Sequence, residues 1–109
     1  MLTETQSRRK FDRALSLLEL KKIDEAEAVC RKVIYVDADN VNFLALLGTI
    51  SILKREPAQA IDFLKQAVAI EPDFAKAQTD LGNAYLFTND YENAVVHLRR
   101  SIEIEPENE

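Results

Sequence analysis

Small and apolar residues recur along this chain with a period of 34 residues. In the clearest copy these positions hold Leu81, Gly82, Tyr85, Ala94, Leu98 and Pro106. One period earlier they hold Leu47, Gly48, Ser51, Ala60, Leu64 and Pro72, without any insertion or deletion. The earliest copy matches less closely, with Ala14, Leu17, Ala26, Cys30 and Val33. One phase kept over three copies predicts three tandem structural units.

Each unit is predicted to be a pair of antiparallel helices, because small residues recur where two helices would approach each other. A glycine inside a helix costs about 1 kcal/mol relative to alanine. Gly48 and Gly82 therefore predict close contacts with a neighbouring helix that recover this cost through packing. The predicted helices span residues 4–20, 24–37, 41–54, 57–70, 75–88 and 91–104.

Proline and acidic residues predict where these helices begin and end. Pro57 occupies the first position of a helix, where its missing N–H costs nothing. Pro72 and Pro106 follow the ends of helices. Carboxylate and amide side chains at helix starts commonly accept hydrogen bonds from free backbone N–H groups. On that basis we expect capping side chains at Asp39, Asn40 and Asp73.

The repeated motif resembles the tetratricopeptide repeat, which reads Leu-Gly-x-x-Tyr, then Ala, then a large apolar residue, then Pro. The resemblance covers residues 7–40, 41–74 and 75–108. The chain departs from the family pattern at Lys10, Leu44 and Gln78, which replace a common aromatic residue, and at Arg13, which replaces leucine. The resemblance implies a single all-α domain, a right-handed α-solenoid of three helix pairs.

Composition and charge narrow the function classes. No apolar run approaches the roughly 20 residues that span a bilayer, and we expect a cytoplasmic protein without membrane insertion. The net charge is −5, and residues 1–40 carry eight basic and eight acidic groups. Nucleic-acid binding requires clustered positive charge, so we expect no nucleic-acid partner.

The sequence offers no arrangement of residues for catalysis. Cys30 and His97 are the only cysteine and the only histidine, so a zinc ligand set is not expected. Cys30 aligns with Leu64 and Leu98, which predicts a small buried apolar residue. His97 is expected at the surface or at its boundary with the core. We therefore predict a protein that is not an enzyme and has no cofactor.

The resemblance implies that partners bind an inner groove lined by the first helix of each pair. The candidate groove residues are Phe11, Leu15, Asn42, Thr49, Leu53, Lys76, Thr79, Asn83 and Phe87. Their mixture of apolar and amide or hydroxyl groups suits a peptide or an amphipathic helix of a partner protein. For Phe11 and Leu15, packing into a neighbouring repeat is an equal alternative.

One known specificity of the family is not expected. Some members hold the C-terminal carboxylate of a chaperone with lysine, arginine and asparagine side chains. The corresponding positions here include Phe11, Leu15 and Asp80, and only Lys76 matches.

An apolar stripe on the last helix suggests a second kind of contact. It consists of Val95, Leu98, Ile102 and Ile104, and no capping helix follows in the sequence. Terminal repeats need a polar outer face when nothing covers them. Two alternatives follow: the chain is the N-terminal part of a longer protein, or it is a scaffold that forms a homo-oligomer through this helix. In a longer protein, it would recruit partners to an enzyme such as a transferase.

Overall fold

In the computed structural model, which describes residues 2–106, six helices form three consecutive antiparallel pairs. They are α1 (Glu4–Glu19), α2 (Ile23–Val36), α3 (Val41–Leu53), α4 (Pro57–Ile70), α5 (Ala75–Phe87) and α6 (Tyr91–Ile104). The all-α prediction is confirmed, and the predicted helix ends lie within one residue of the observed ones. The last two positions of the third predicted repeat, 107 and 108, lie outside the described residues.

The pairs stack in chain order around α3. Phe43, Leu47 and Ile50 face one apolar cluster, which α3 shares with α1 and α2. Leu44 and Ala45 face a second cluster, which α3 shares with α4 and α5. Because α3 is buried on most of its circumference, the core runs continuously through the three pairs.

The two glycines lie at the closest contacts between paired helices, as predicted. A Cβ atom at Gly82 would lie 2.5 Å from Leu98 Cγ and 3.2 Å from the carbonyl oxygen of Ala94. A Cβ atom at Gly48 would lie 2.6 Å from Leu64 Cδ2. Favourable carbon–carbon contacts lie at about 3.5–4.0 Å. A side chain at either glycine would therefore force the paired helices apart.

The turn inside each pair has the same backbone geometry. Lys21, Arg55 and Asn89, each two residues beyond its helix, have φ of 63°, 61° and 62°. Each turn donates two backbone hydrogen bonds into the last helical turn, such as Arg55 N–H to Ile52 O and Glu56 N–H to Ser51 O. This is the Schellman pattern, which usually places glycine at the left-handed position. No glycine occurs in these turns, so the sequence did not signal them.

The prolines confirm their predicted places, whereas the capping prediction was wrong. Pro57 begins α4, and Pro72 and Pro106 lie two residues beyond the ends of α4 and α6. Asn40 precedes α3 without capping it, because its side-chain N–H groups donate to Ser7 and Asp37.

Neither predicted aspartate caps its helix. No side-chain cap is formed at the start of α3 by Asp39 or at the start of α5 by Asp73. Asp73 pairs with Arg100 of α6 instead. At these positions, contacts between neighbouring elements hold the side chains that local capping would use.

We predict that Gly82→Leu unfolds the third pair. The new side chain would enter the space occupied by Leu98, and overpacking of a core typically costs 1–3 kcal/mol. The expected result is a thermal midpoint lower by about 10 °C, measured by circular dichroism. Ala69→Leu, on the exposed side of α4, serves as the control and should leave the midpoint nearly unchanged. Equal midpoints for Gly82→Leu and the wild type would contradict the packing assignment.

Candidate functional site

The nine candidate groove residues all lie on the first helices of the pairs, which are α1, α3 and α5. We call these nine residues together the first-helix face. Leu15, Asn42, Leu53, Lys76 and Phe87 are exposed, and Phe11, Thr49, Thr79 and Asn83 are half-buried. Two contacts connect the helices beneath this face: Phe11 of α1 packs on Phe43 of α3, and Thr49 of α3 bonds to Asp80 of α5. These contacts place the first helices of consecutive pairs next to each other.

A cavity of about 460 Å³, the α3–α5 pocket, opens at the carboxyl ends of α3 and α5. It is lined by Ile52, Leu53, Arg55, Pro57 and Phe87. Leu53 is 53% exposed and Phe87 is 66% exposed. These two residues occupy equivalent positions in consecutive repeats, so the stacking of the pairs places them beside each other.

A second cavity of about 330 Å³ lies at the other end of α3. It is lined by Glu4, Ser7, Arg8, Phe11, Asn42 and Phe43. Phe11 both lines this cavity and packs edge-on against Phe43, with ring centroids 5.3 Å apart. Asn42 and Leu53 lie eleven positions apart on α3, which corresponds to about 16 Å at the rise of an α-helix.

Polar residues between the two cavities are engaged with one another. The carboxylate of Asp80 accepts a hydrogen bond of 3.1 Å from Thr49 and pairs with Lys76 at 3.0 Å. Lys76 is therefore compensated within the protein. The hydroxyl of Thr79 bonds to that of Ser101 on α6. Of the two predicted groove asparagines, Asn42 is exposed and Asn83 is half-buried.

The predicted stripe on α6 divides into inner and outer parts. Val95 and Ile102 are exposed, with Ile102 63% exposed, and Ile104 is half-buried. Leu98 packs against Gly82 in the contact between α5 and α6. The exposed apolar surface also includes Tyr91 and Val96, which the sequence reasoning missed. Both are apolar residues of α6, but they lie outside the near-helical spacing that defined the predicted stripe.

Cys30 and His97, the single cysteine and the single histidine, both pack within the fold. Cys30 is fully buried in the core, and burial raises the pKa of its thiol to about 12. His97 is half-buried, with Nδ1 2.8 Å from Gln78 Oε1 and its ring stacked on Tyr85. Burial, aided by the positive charge of Lys65, lowers the pKa of His97. Within residues 2–106, no group of three or more His, Cys, Asp or Glu side chains is placed to hold a metal ion.

No helix within residues 2–106 is both long and apolar enough to cross a membrane.

Comparison with protein families identifies the class to which this fold belongs. A family model described as "Tetratricopeptide repeat" matches residues 51–109, more than half of the chain. A second model with the same description matches residues 8–40. The chain therefore belongs to the tetratricopeptide repeat family.

The chain is also similar to segments of curated proteins. The chain is 29% identical over 89 residues to the BBSome complex member BBS4 of Bos taurus, covering 82% of this chain and 17% of BBS4. It spans less than a fifth of the length of the curated relatives it matches.

Two solved structures share the fold at low identity. The first repeat domain of Spaghetti (RPAP3), bound to the HSP90 peptide SRMEEVD, has a TM-score of 0.91 at 21% identity. The alignment covers 98% of this chain and 85% of that one. An O-GlcNAc transferase of Thermobaculum terrenum has a TM-score of 0.90 at 24% identity, over 99% of this chain and 21% of that one.

We predict that His97 makes the stability of the protein fall in mild acid. Its folded pKa lies below the ordinary value of 6.5, so the unfolded chain binds the proton more readily. The contribution of neutral His97 to the free energy of unfolding is fully present above about pH 6.5, and it is lost as the pH falls toward the pKa of the folded state. Urea unfolding at about pH 7.5 and about pH 5.5 should show a larger loss for the wild type than for His97→Gln.

The shifted pKa of Glu27 does not affect the comparison of urea unfolding at these two pH values. Lys54 and Arg31 lower the pKa of Glu27 below 4.5, so its contribution is lost only at more acidic pH. Equal pH dependence in the wild type and His97→Gln would contradict the prediction.

Proposed function

We propose that this domain is a non-catalytic interaction module that binds a peptide or helix of a partner protein on the first-helix face. The observation that carries the proposal is the exposure of Leu53 and Phe87 beside a concave apolar pocket. Exposed apolar surface next to polar groups is typical of interaction sites. The similar RPAP3 domain was solved with a bound peptide, which supports the same use of this fold.

The distribution of polar groups supports an extended or helical ligand. The two cavities lie about 16 Å apart along α3, a distance that about five residues of extended chain can span. Side chains of one ligand can therefore enter both cavities. Asn42 lies exposed at one of them and can bond to the ligand backbone.

The ligand that we propose differs from a chaperone tail. Asp80 holds Lys76, the one basic residue that matched the carboxylate-binding pattern. The first pair offers Phe11 and Leu15 where that pattern needs polar groups. Apolar contacts, rather than a cluster of cations around a terminal carboxylate, are the main source of affinity in this proposal.

We expect Leu53→Glu and Phe87→Glu each to abolish most binding on this face. Peptides of about 12 residues would be selected from a random display library against the wild type and then tested on the variants. A charge placed in an apolar contact must be desolvated, so affinity should fall at least about tenfold. Tyr35→Glu is the matched control, because Tyr35 is 90% exposed on α2. Selected peptides that bind both variants as tightly as the wild type would contradict the proposed site.

A second candidate function, self-association, is favoured by the outer face of α6. Val95 and Ile102 occupy the positions of Ile61 and Val68 in the preceding pair. Ile61 and Val68 pack against the apolar cluster that contains α5, whereas their counterparts on α6 are exposed. We propose that this surface accepts another helix in the way that α4 accepts α5.

The outer face of α1 argues against a head-to-tail filament of identical chains. Phe43, Leu47 and Ile50 of α3 pack toward the preceding pair. The equivalent residues of α1 are Arg9, Arg13 and Ser16, all exposed. Docking α1 on the α6 of another copy would bury two arginines against apolar residues, which is costly. Self-association would therefore join two α6 faces and close as a two-fold dimer.

Light scattering over a hundredfold range of concentration tests this second candidate. We expect the wild type to shift from monomer toward dimer, and Ile102→Lys to remain monomeric because a lysine would be buried at the contact. Tyr35→Lys, which places the same charge on α2, should behave as the wild type. A wild type that is monomeric throughout would contradict self-association, whereas species larger than a dimer would contradict its two-fold form.

Two further expectations belong to this proposal. We propose that the module works in the cytoplasm, where a free thiol such as that of Cys30 persists. If the chain is part of a longer enzyme, the first-helix face would recruit the partner or substrate protein to the catalytic domain.

A further inference from the structure

We infer that the α3–α5 pocket binds a large apolar side chain that is followed by an acidic residue, and that Arg55 receives the side-chain carboxylate of this residue. The inference rests on the proposed function and specifies the ligand of the same face. It depends on three features: the apolar walls of the pocket, the difference between this pocket and its counterpart in the first pair, and the fixed position of Arg55.

The walls of the pocket define the apolar part of the ligand. Ile52, Leu53, Pro57 and Phe87 contribute aliphatic and aromatic surface. The volume of about 460 Å³ lies within the range of roughly 300–1,000 Å³ that is typical of small-ligand sites. The pocket therefore has room for a phenylalanine or leucine side chain of a partner.

The counterpart of this pocket in the first pair carries a charged residue in its wall. One repeat earlier, Glu19 stands where the pocket has Leu53, and Lys21 stands where it has Arg55. A carboxylate at the position of Leu53 opposes the burial of an apolar ligand. This difference makes the contact between the second and third pairs the specific place for an apolar anchor.

The turn geometry holds Arg55 at the rim of the pocket. Its backbone is left-handed, and two hydrogen bonds of the Schellman pattern tie the turn to α3. A site whose backbone is already ordered loses less entropy when a ligand binds. The backbone of Arg55 is therefore held in place, and its side chain extends from the same pocket lining as Leu53 and Phe87.

Two neighbouring charged residues, Lys54 and Asp90, are already engaged within the protein. Lys54 pairs with Asp24 and Glu27 of α2, and the carboxylate of Asp90 caps α6. No ion pair within 4.0 Å involves Arg55 among residues 2–106. Arg55 thus contributes an uncompensated positive charge, and its planar guanidinium suits a carboxylate.

The net charge of the whole protein does not decide the preference. The charge of −5 repels an acidic ligand at long range, but exposed charges are screened beyond about 8 Å at physiological ionic strength. A carboxylate in contact with Arg55 is well inside this distance. A basic group in the same place would meet the guanidinium, so a ligand with lysine after its apolar residue is disfavoured.

The test is a nuclear magnetic resonance titration of the 15N-labelled domain with synthetic peptides at about 0.15 M salt. The first peptide is acetyl-Gly-Ser-Phe-Asp-Ser-Gly-amide. A second peptide replaces Asp with Lys, and a third replaces Phe with Ala. We expect shifts of the amide signals of Leu53, Arg55 and Phe87, with the Asp peptide binding about fivefold more tightly than the Lys peptide. The Ala peptide should cause no shift at the pocket.

Charge reversal separates Arg55 from other causes of such a preference. Arg55→Glu should invert the order, so that the Lys peptide binds more tightly than the Asp peptide. Lys21→Glu is the matched control, because Lys21 has the same backbone conformation in the first pair and the substitution changes the net charge equally. The control should keep the preference of the wild type, and thermal unfolding should verify that both variants fold.

A fourth peptide, acetyl-Gly-Ser-Phe with a free carboxylate, tests whether the acidic group belongs to a side chain within the ligand. We expect the Asp peptide to bind more tightly than this peptide. Tighter binding of the fourth peptide would overturn the assignment to a side chain and would identify a chain terminus instead.

The outcomes also separate this inference from the proposed function. Equal binding of the Asp and Lys peptides, with shifts at the pocket, would overturn the role of Arg55 and leave the interaction face intact. Absence of shifts at the pocket with both Phe peptides would overturn the inference altogether. The proposed function fails separately, if peptides selected by display ignore Leu53 and Phe87.

Discussion

The contact between a glycine of one helix and a leucine of its partner sets the geometry of the second and third helix pairs. Gly48 meets Leu64, and Gly82 meets Leu98, at distances that leave no room for a Cβ atom. In the first pair, Ala14 and Cys30 occupy these positions, and both are fully buried. Ala14 adds a methyl group and Cys30 is shorter than leucine, so the volumes compensate. The buried cysteine thus belongs to the packing of the pair rather than to any redox chemistry.

This tight pairing determines which apolar residues remain exposed. The leucines and alanines that face the partner helix are buried in the core, and α3 is buried between two apolar clusters. The carboxyl-terminal residues of α3 and α5 lie at the edge of this core, where Leu53 and Phe87 stay exposed. Two cavities and the cation Arg55 lie beside these exposed apolar residues. The ends of the array also differ, because α1 is polar on its outer side and α6 is apolar.

Local patterns predicted the helices well because each helix depends on neighbouring residues. The prolines and the buried glycines were assigned correctly, since their effects follow from backbone geometry and from one partner helix. The predicted caps failed because Asn40 and Asp73 are held by Ser7 and Arg100, which are distant in sequence. The left-handed turns at Lys21 and Arg55 carried no glycine signal, and there backbone hydrogen bonds to the preceding helix hold a conformation that these residue types rarely adopt. Position in the family pattern suggested the first-helix face, but it did not show that Asp80 engages Lys76 and Thr49.

By itself, the sequence determined the repeat period, the six helices, their pairing and the buried place of Cys30, because these follow from spacing within one repeat. Only the tertiary structure decided which polar groups are already compensated, that Leu98 packs between α5 and α6 while Ile102 is exposed, and that Leu53, Arg55 and Phe87 line one pocket. These features depend on distances between residues of different repeats. Such distances are set by how the pairs stack, and no spacing along a single helix encodes them.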